Sequence, residues 1–172
     1  MPDYHLAHLK ADQPCLWLPL ALPACLLACR ATTGQSTTFE LSRFDGEQET
    51  PTKISLSIVH ADDAAHKTPA LLASASDEWL RVAAAIVISA FLRNSSGQRI
   101  KRVSRCEGGL AFYLDTPDDD EDWLLSVVGS SGDDAGEALE RATEQANNTP
   151  CAHKIAAAVA FGSGKAALRV LS

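Results

Sequence analysis

The clearest alternation of apolar and polar positions runs over residues 37–44. Phe39 and Leu41 fall on one side, and Thr38, Glu40 and Ser42 on the other. A period of two predicts a half-buried strand. Lys53 to His60 repeats it, with Ile54, Leu56 and Ile58 inward and Ser55 and Ser57 outward. An Asp45-Gly46 turn signal and Pro51 lie between the runs, which read as a hairpin with a long loop.

The period changes after Ser76. Ser76 suits a helix N-cap, and Asp77 and Glu78 occupy the first turn, where the helix dipole favours acids. Between Trp79 and Leu92 only Arg81 is charged and only Ser89 is otherwise polar. A helix apolar nearly all round is a buried one. The spacing predicts such a helix over about 77–93, ended by Gly97, and too short to cross a bilayer.

Arg99–Glu107 and Leu110–Asp115 then flank Gly108-Gly109, a pair suited to a two-residue hairpin turn. That register sets Val103 opposite Leu114, Arg105 opposite Phe112 and Arg102 opposite Asp115. A strand over Trp123–Val128 follows. A second helix over about 133–146 carries Ala135, Ala138, Leu139 and Ala142 on one stripe, and Glu137 and Arg141 form an i,i+4 pair. Lys154–Phe161 and Lys165–Leu171 flank a Ser163-Gly164 turn that would pair Val159 with Leu168.

Hairpins dominate this order and alternating strand–helix–strand units are missing. The expected class is α+β. A mainly antiparallel sheet built from hairpins packs its helices, a buried central one and a second, on one face.

CLWLPLALPACLLAC, residues 15–29, has neither period and no charge. Pro19 and Pro23 forbid one continuous helix. Cys15 to Leu22 reads as an extended edge segment and Ala24 to about Thr32 as a short helix, with Gly34 as its stop. The stretch is too short and too broken for a membrane span. The flank MPDYHLAHLKADQP holds one Lys against two Asp and lacks the basic start of a secretory signal. Leu16, Leu18, Leu22, Leu26 and Leu27 are therefore expected in the core. Residues 1–14 form a polar, loosely held segment, and 15–172 a single domain.

Composition sharpens the picture in two respects. A formal net charge of −7 argues against a general binder of DNA or anionic membranes, since phosphates repel a net-negative body. Five cysteines in 172 residues are too few for a secreted disulfide scaffold. A reducing, cytoplasmic setting with free thiols follows. Cys25 and Cys29 share a helical face and are weak metal candidates, read first as core thiols.

Four clusters carry candidate chemistry. HADDAAH, residues 60–66, gathers His60, Asp62, Asp63 and His66, the ingredients of acid–base or metal-dependent hydrolysis. FGSGKAAL, residues 161–168, imitates a phosphate loop. Val159 stands at its first glycine position and Ala166 replaces the metal-binding hydroxyl, so it reads as a turn. RIKRVSR supplies Arg99, Lys101, Arg102 and Arg105. DTPDDDED supplies Asp118, Asp119 and Asp120 among its six acids. It lacks the central glycine of a calcium loop. The hairpin would bring the acids beside the basic strand, leaving a charged surface that pairs partly with itself or steers a protein partner.

The first functional expectation is a non-catalytic protein-binding module of adaptor, secretion-chaperone, inhibitor or immunity type. It needs no cofactor, is regulatory in role, and is compatible with a homodimer. The alternatives are a nucleic-acid-associated component using the basic strand, and a small hydrolase or metal-dependent enzyme using 60–66 or a reactive cysteine.

Overall fold

The computed structural model describes residues 1–16, 21–31, 34–45, 50–60, 77–106, 109–116 and 119–171. Among the described residues the strands are β1 (Asp3–His5), β2 (Ser36–Asp45), β3 (Thr52–Val59), β4 (Arg99–Cys106), β5 (Gly109–Thr116), β6 (Asp119–Ser130), β7 (His153–Ala160) and β8 (Lys165–Leu171). Among the described residues the α-helices are α1 (Leu9–Asp12), α2 (Ala21–Ala28), α3 (Asp77–Ser96) and α4 (Gly136–Asn147). The strands form one sheet in the order β1-β3-β2-β8-β7-β6-β5-β4. The class is α+β with a mostly antiparallel sheet. Its neighbours β2/β3, β4/β5, β5/β6 and β7/β8 are antiparallel. The pairs β1/β3, β2/β8 and β6/β7 are parallel.

The helices occupy both faces, not one. β7 shows why. Ile155, Ala157 and Val159 pack into the core around α3, whereas Ala156, Ala158 and Ala160 pack with Ala138, Leu139 and Ala142 of α4. A strand covered on both sides reads as a continuous apolar run, which hides which residue faces which layer. α4 also bridges two parallel neighbours, β6 and β7, so a strand–helix–strand unit is present after all. Leucine at either Ala157 or Ala158 should therefore overpack a closed layer and cost about 1–3 kcal/mol. Urea unfolding of the two variants checks this. A neutral Ala158→Leu would mean that the outer layer is open.

The sheet is rolled around α3. β1 and β4 are its opposite edges, and flat they would stand roughly 34 Å apart at about 4.8 Å per strand. Yet the segment that follows β1 reaches β4 at once. The Ile100 backbone N–H donates to Gln13 Oε1 at 2.7 Å, and the Cys15 thiol donates to the Lys101 carbonyl at 2.9 Å. The intervening 3-10 turn (Leu6–His8) and α1 span only about 12 Å. The two edges must therefore curl toward each other, with residues 6–16 closing the gap. Every residue from Val82 to Leu92 is consequently buried, Ser89 included, its hydroxyl donating to the Ile86 carbonyl at 2.8 Å. Within residues 1–14, Tyr4, Leu6 and Leu9 are buried in this seam. Burial, then the charge of Asp12, pushes the Tyr4 phenol well above its ordinary range.

Two hairpin registers differ from the expected ones by two residues. Val103 lies opposite Phe112 and Arg105 opposite Leu110, and the ladder ends at the pair Cys106 and Gly109. A register shift between Ile100 and Arg102 lets Ile100 and Val103, three apart, both reach the core. Val159 lies opposite Ala166 because Phe161 leaves the strand to pack edge-on against Phe39, at 6.0 Å and 90°. The Ser76 N-cap expectation lies outside the described residues.

Candidate functional site

The basic strand forms the last edge of the sheet. Lys101 Nζ lies 2.7 Å and Arg102 3.2 Å from Asp122, and Arg105 lies 2.9 Å from Glu78. Arg102 also covers the Tyr113 ring at 4.0 Å, and Arg99 stands opposite Asp115 in the ladder. Hydrogen bonding to Lys101 holds the Asp122 carboxyl below its ordinary range. The acids that meet these cations come from β6, α3 and β5. Asp119 and Asp120 open β6, and Asp118 lies outside the described residues. Exposed pairs of this kind contribute little stability and are screened by salt.

Of the 60–66 cluster, only His60 falls within the described residues; Asp62, Asp63 and His66 lie outside them. His60 is not a surface histidine. It is 2% exposed at the end of β3, its N–H bonded to the Gln35 carbonyl at 2.9 Å and its carbonyl accepting from Gly34 at 3.1 Å. Ring Nε2 lies 3.0 Å from Thr37 Oγ1, while Nδ1 is buried without a hydrogen-bond partner among the described residues.

The same two side chains meet the end of α2. That helix starts at Ala21, because Pro23 in the first turn sacrifices an N–H that would have no intrahelical partner. Pro14–Leu16 is a 3-10 turn, not the expected strand. The helix stops before Gly34, in a Schellman arrangement. The Ala31 N–H bonds the Leu26 carbonyl at 3.1 Å and the Arg30 N–H the Leu27 carbonyl at 3.0 Å, with Arg30 at φ 50°. Cys29 is the residue at the cap.

Cys25 and Cys29 are free thiols one helical turn apart. Cys25 is fully buried, and its thiol is pushed well above its ordinary range by its bond to Cys29 and by desolvation. Cys29 is half-buried. The Cys25 thiol, with His60 and Thr37, pulls Cys29 down to about 6, against desolvation. A thiol of that character is a nucleophile at neutral pH. Among the described residues no group of three or more His, Cys, Asp or Glu side chains is arranged to hold a metal ion.

The pairing of His60 with Thr37 was within reach of the sequence, since the hairpin register sets Ser36 opposite Val59 and so brings these positions together. The pairing with Cys29 was not, because no spacing rule links a helix cap to a strand end.

The apolar stretch 15–29 divides in two. Leu16, Ala21, Leu22, Ala24 and Cys25 are buried and Leu26 is partly so, while Leu18 lies outside the described residues. Leu27 departs from expectation at 49% exposed. It stands at the lip of a cavity of about 150 Å³, lined also by Ala24, Ala28, Arg30, Trp79 and Leu80. It faces outward because Cys25 and Cys29 take the inward face of a two-turn helix.

The architecture defines an α+β protein whose sheet rolls around a central helix. Compared with models of protein families, with curated proteins and with solved structures, the chain matches none. Among the described residues no helix is long and apolar enough to cross a membrane.

Proposed function

We propose that this chain is a non-catalytic protein-binding module, of the adaptor, chaperone, inhibitor or immunity type, that takes an apolar side chain of its partner into the notch between α2 and α3. The observation that supports this reading is the exposed Leu27 beside that notch. Drug-sized ligands need about 300–1,000 Å³, so a cavity of about 150 Å³ suits one anchoring side chain instead. Trp79 is of a residue type that dominates interface energy when desolvated, and Arg30 at the rim favours an acidic neighbour beside the anchor. The charged β4 edge would steer encounter rather than hold the partner.

A photoreactive residue at position 27, introduced in the parent cell, should give one discrete adduct, weakened by Trp79→Ala. Against the partner thus recovered, Leu27→Glu should reduce affinity about 30-fold, the size of an anchor residue's contribution. The same adducts from a crosslinker at the remote Glu144 would sink the reading.

A further inference from the structure

We propose that Cys29 is a peroxide-reactive thiolate and that Cys25 is its resolving thiol, so that the end of α2 closes a Cys25–Cys29 disulfide under oxidation and reopens under a dithiol. This stands apart from the docking notch, which lies on the other face of α2.

The geometry carries it. Redox-responsive cysteines are accessible thiolates poised next to a second cysteine. Cys29 is half-buried and therefore reachable, and Cys25 is fully buried one helical turn behind it. Among the described residues, the titratable groups that face Cys29 are Cys25 and His60, and Thr37 adds a hydroxyl. Thr37 Oγ1 lies 3.0 Å from His60 Nε2, so the hydroxyl can accept from the ring and donate to the sulfur. His60 keeps a buried, unpartnered Nδ1, an arrangement that ordinary packing would have satisfied. The carbonyl end of α2 opposes the thiolate, but only weakly for a helix of two turns.

The chemistry balances with a hydroperoxide as the oxidant. The Cys29 sulfur attacks the terminal peroxide oxygen. An S–O bond forms, the O–O bond breaks, and the alkoxide or hydroxide leaves and takes a proton. Sulfur loses two electrons and the peroxide gains them. The Cys25 sulfur then attacks the sulfenic sulfur. The S–S bond forms, the S–O bond breaks, and hydroxide departs as water with the Cys25 proton. The helix end permits closure. Side chains four apart on a helix start about 5–6 Å apart at Cβ, and a disulfide needs about 4 Å. Only the cap turn, already turned at Arg30, has to tighten.

The test uses the full chain with Cys15, Cys106 and Cys151 replaced by serine. The rate of Cys29 alkylation is followed against pH by peptide mass spectrometry. An inflection near pH 6 is expected, against about 8.5 for an unperturbed thiol. At pH 6 the thiolate fraction favours Cys29 by more than 100-fold. The lower intrinsic nucleophilicity takes back about a factor of ten, which leaves a net advantage of about 10-fold. Cys25→Ala, which removes the contact that favours the thiolate most, should abolish most of it, and Thr37→Val a smaller part. Hydrogen peroxide should convert the pair to a disulfide reversed by dithiothreitol. In Cys25→Ser, oxidation should stop at a sulfenic acid on Cys29 that a cyclic 1,3-dione captures. An inflection near 8.5 in the otherwise native protein, or equally fast oxidation of Cys25 in Cys29→Ser, would overturn the proposal.

Discussion

Alanine at Gly129 is expected to destabilise the protein by about 3 kcal/mol, a large share of a total near 5–15 kcal/mol. β6 passes directly under the first turn of α3 at this point. A Cβ on Gly129 would stand 2.2 Å from the Leu80 carbonyl oxygen and 2.6 Å from its carbon. Those atoms are helix backbone and cannot rotate aside. The helix must lift from the sheet, which loosens the layer on which Leu80 and Trp79 pack. For a chain of this length the thermal midpoint should fall by about 6–12 °C. Gly34→Ala is the control. Its backbone is left-handed at φ 78°, but nothing lies within 4 Å of the added methyl, so only conformational strain of about 1–2 kcal/mol should appear. Equal losses at the two sites would mean that α3 does not press on β6 as described.

Phe39→Ala should cost about 3–5 kcal/mol, the range for emptying a fully buried aromatic site. Phe39 is 0% exposed and sits on β2 where it meets both β3 and the start of β8. It also forms an edge-to-face pair with Phe161 at 6.0 Å, which fixes the turn between β7 and β8. Gly164 in that turn accepts from the Glu40 N–H at 2.9 Å, so the two contacts brace each other. Phe39→Leu keeps most of the volume and should cost only about 1–2 kcal/mol. A double-mutant cycle with Phe161→Ala should return a coupling of about 1 kcal/mol in denaturant unfolding. No coupling would show that Phe161 merely fills space.

Much of the local structure was legible without any tertiary information. The alternation around Phe39, Leu41, Leu56 and Ile58 identified β2, β3 and their inward face. The charge-free run from Val82 to Leu92 identified the buried helix, and the alanine stripe identified α4. Each depends on a period imposed by the backbone itself, which a short window of sequence displays. Registers were less legible. The paired glycines at 108 and 109 are compatible with more than one register, and the bulge between Ile100 and Arg102, which lets both Ile100 and Val103 reach the core, leaves no mark in the local pattern.

The sequence by itself determined the main strands and helices from β2 onward, the α+β class and the segments with something to bury, but not β1, α1 or the 3-10 turn at Pro14–Leu16. Only the tertiary structure decided the rest: that helices cover both faces, that the sheet rolls until residues 6–16 reach β4, that Leu27 turns outward, and that His60 and Thr37 meet Cys29. The physical reason is common to all four. Periodicity reports that a side chain is buried, but not against what. Partners distant in the chain are chosen by the closing of the sheet around α3, and no local pattern records that event.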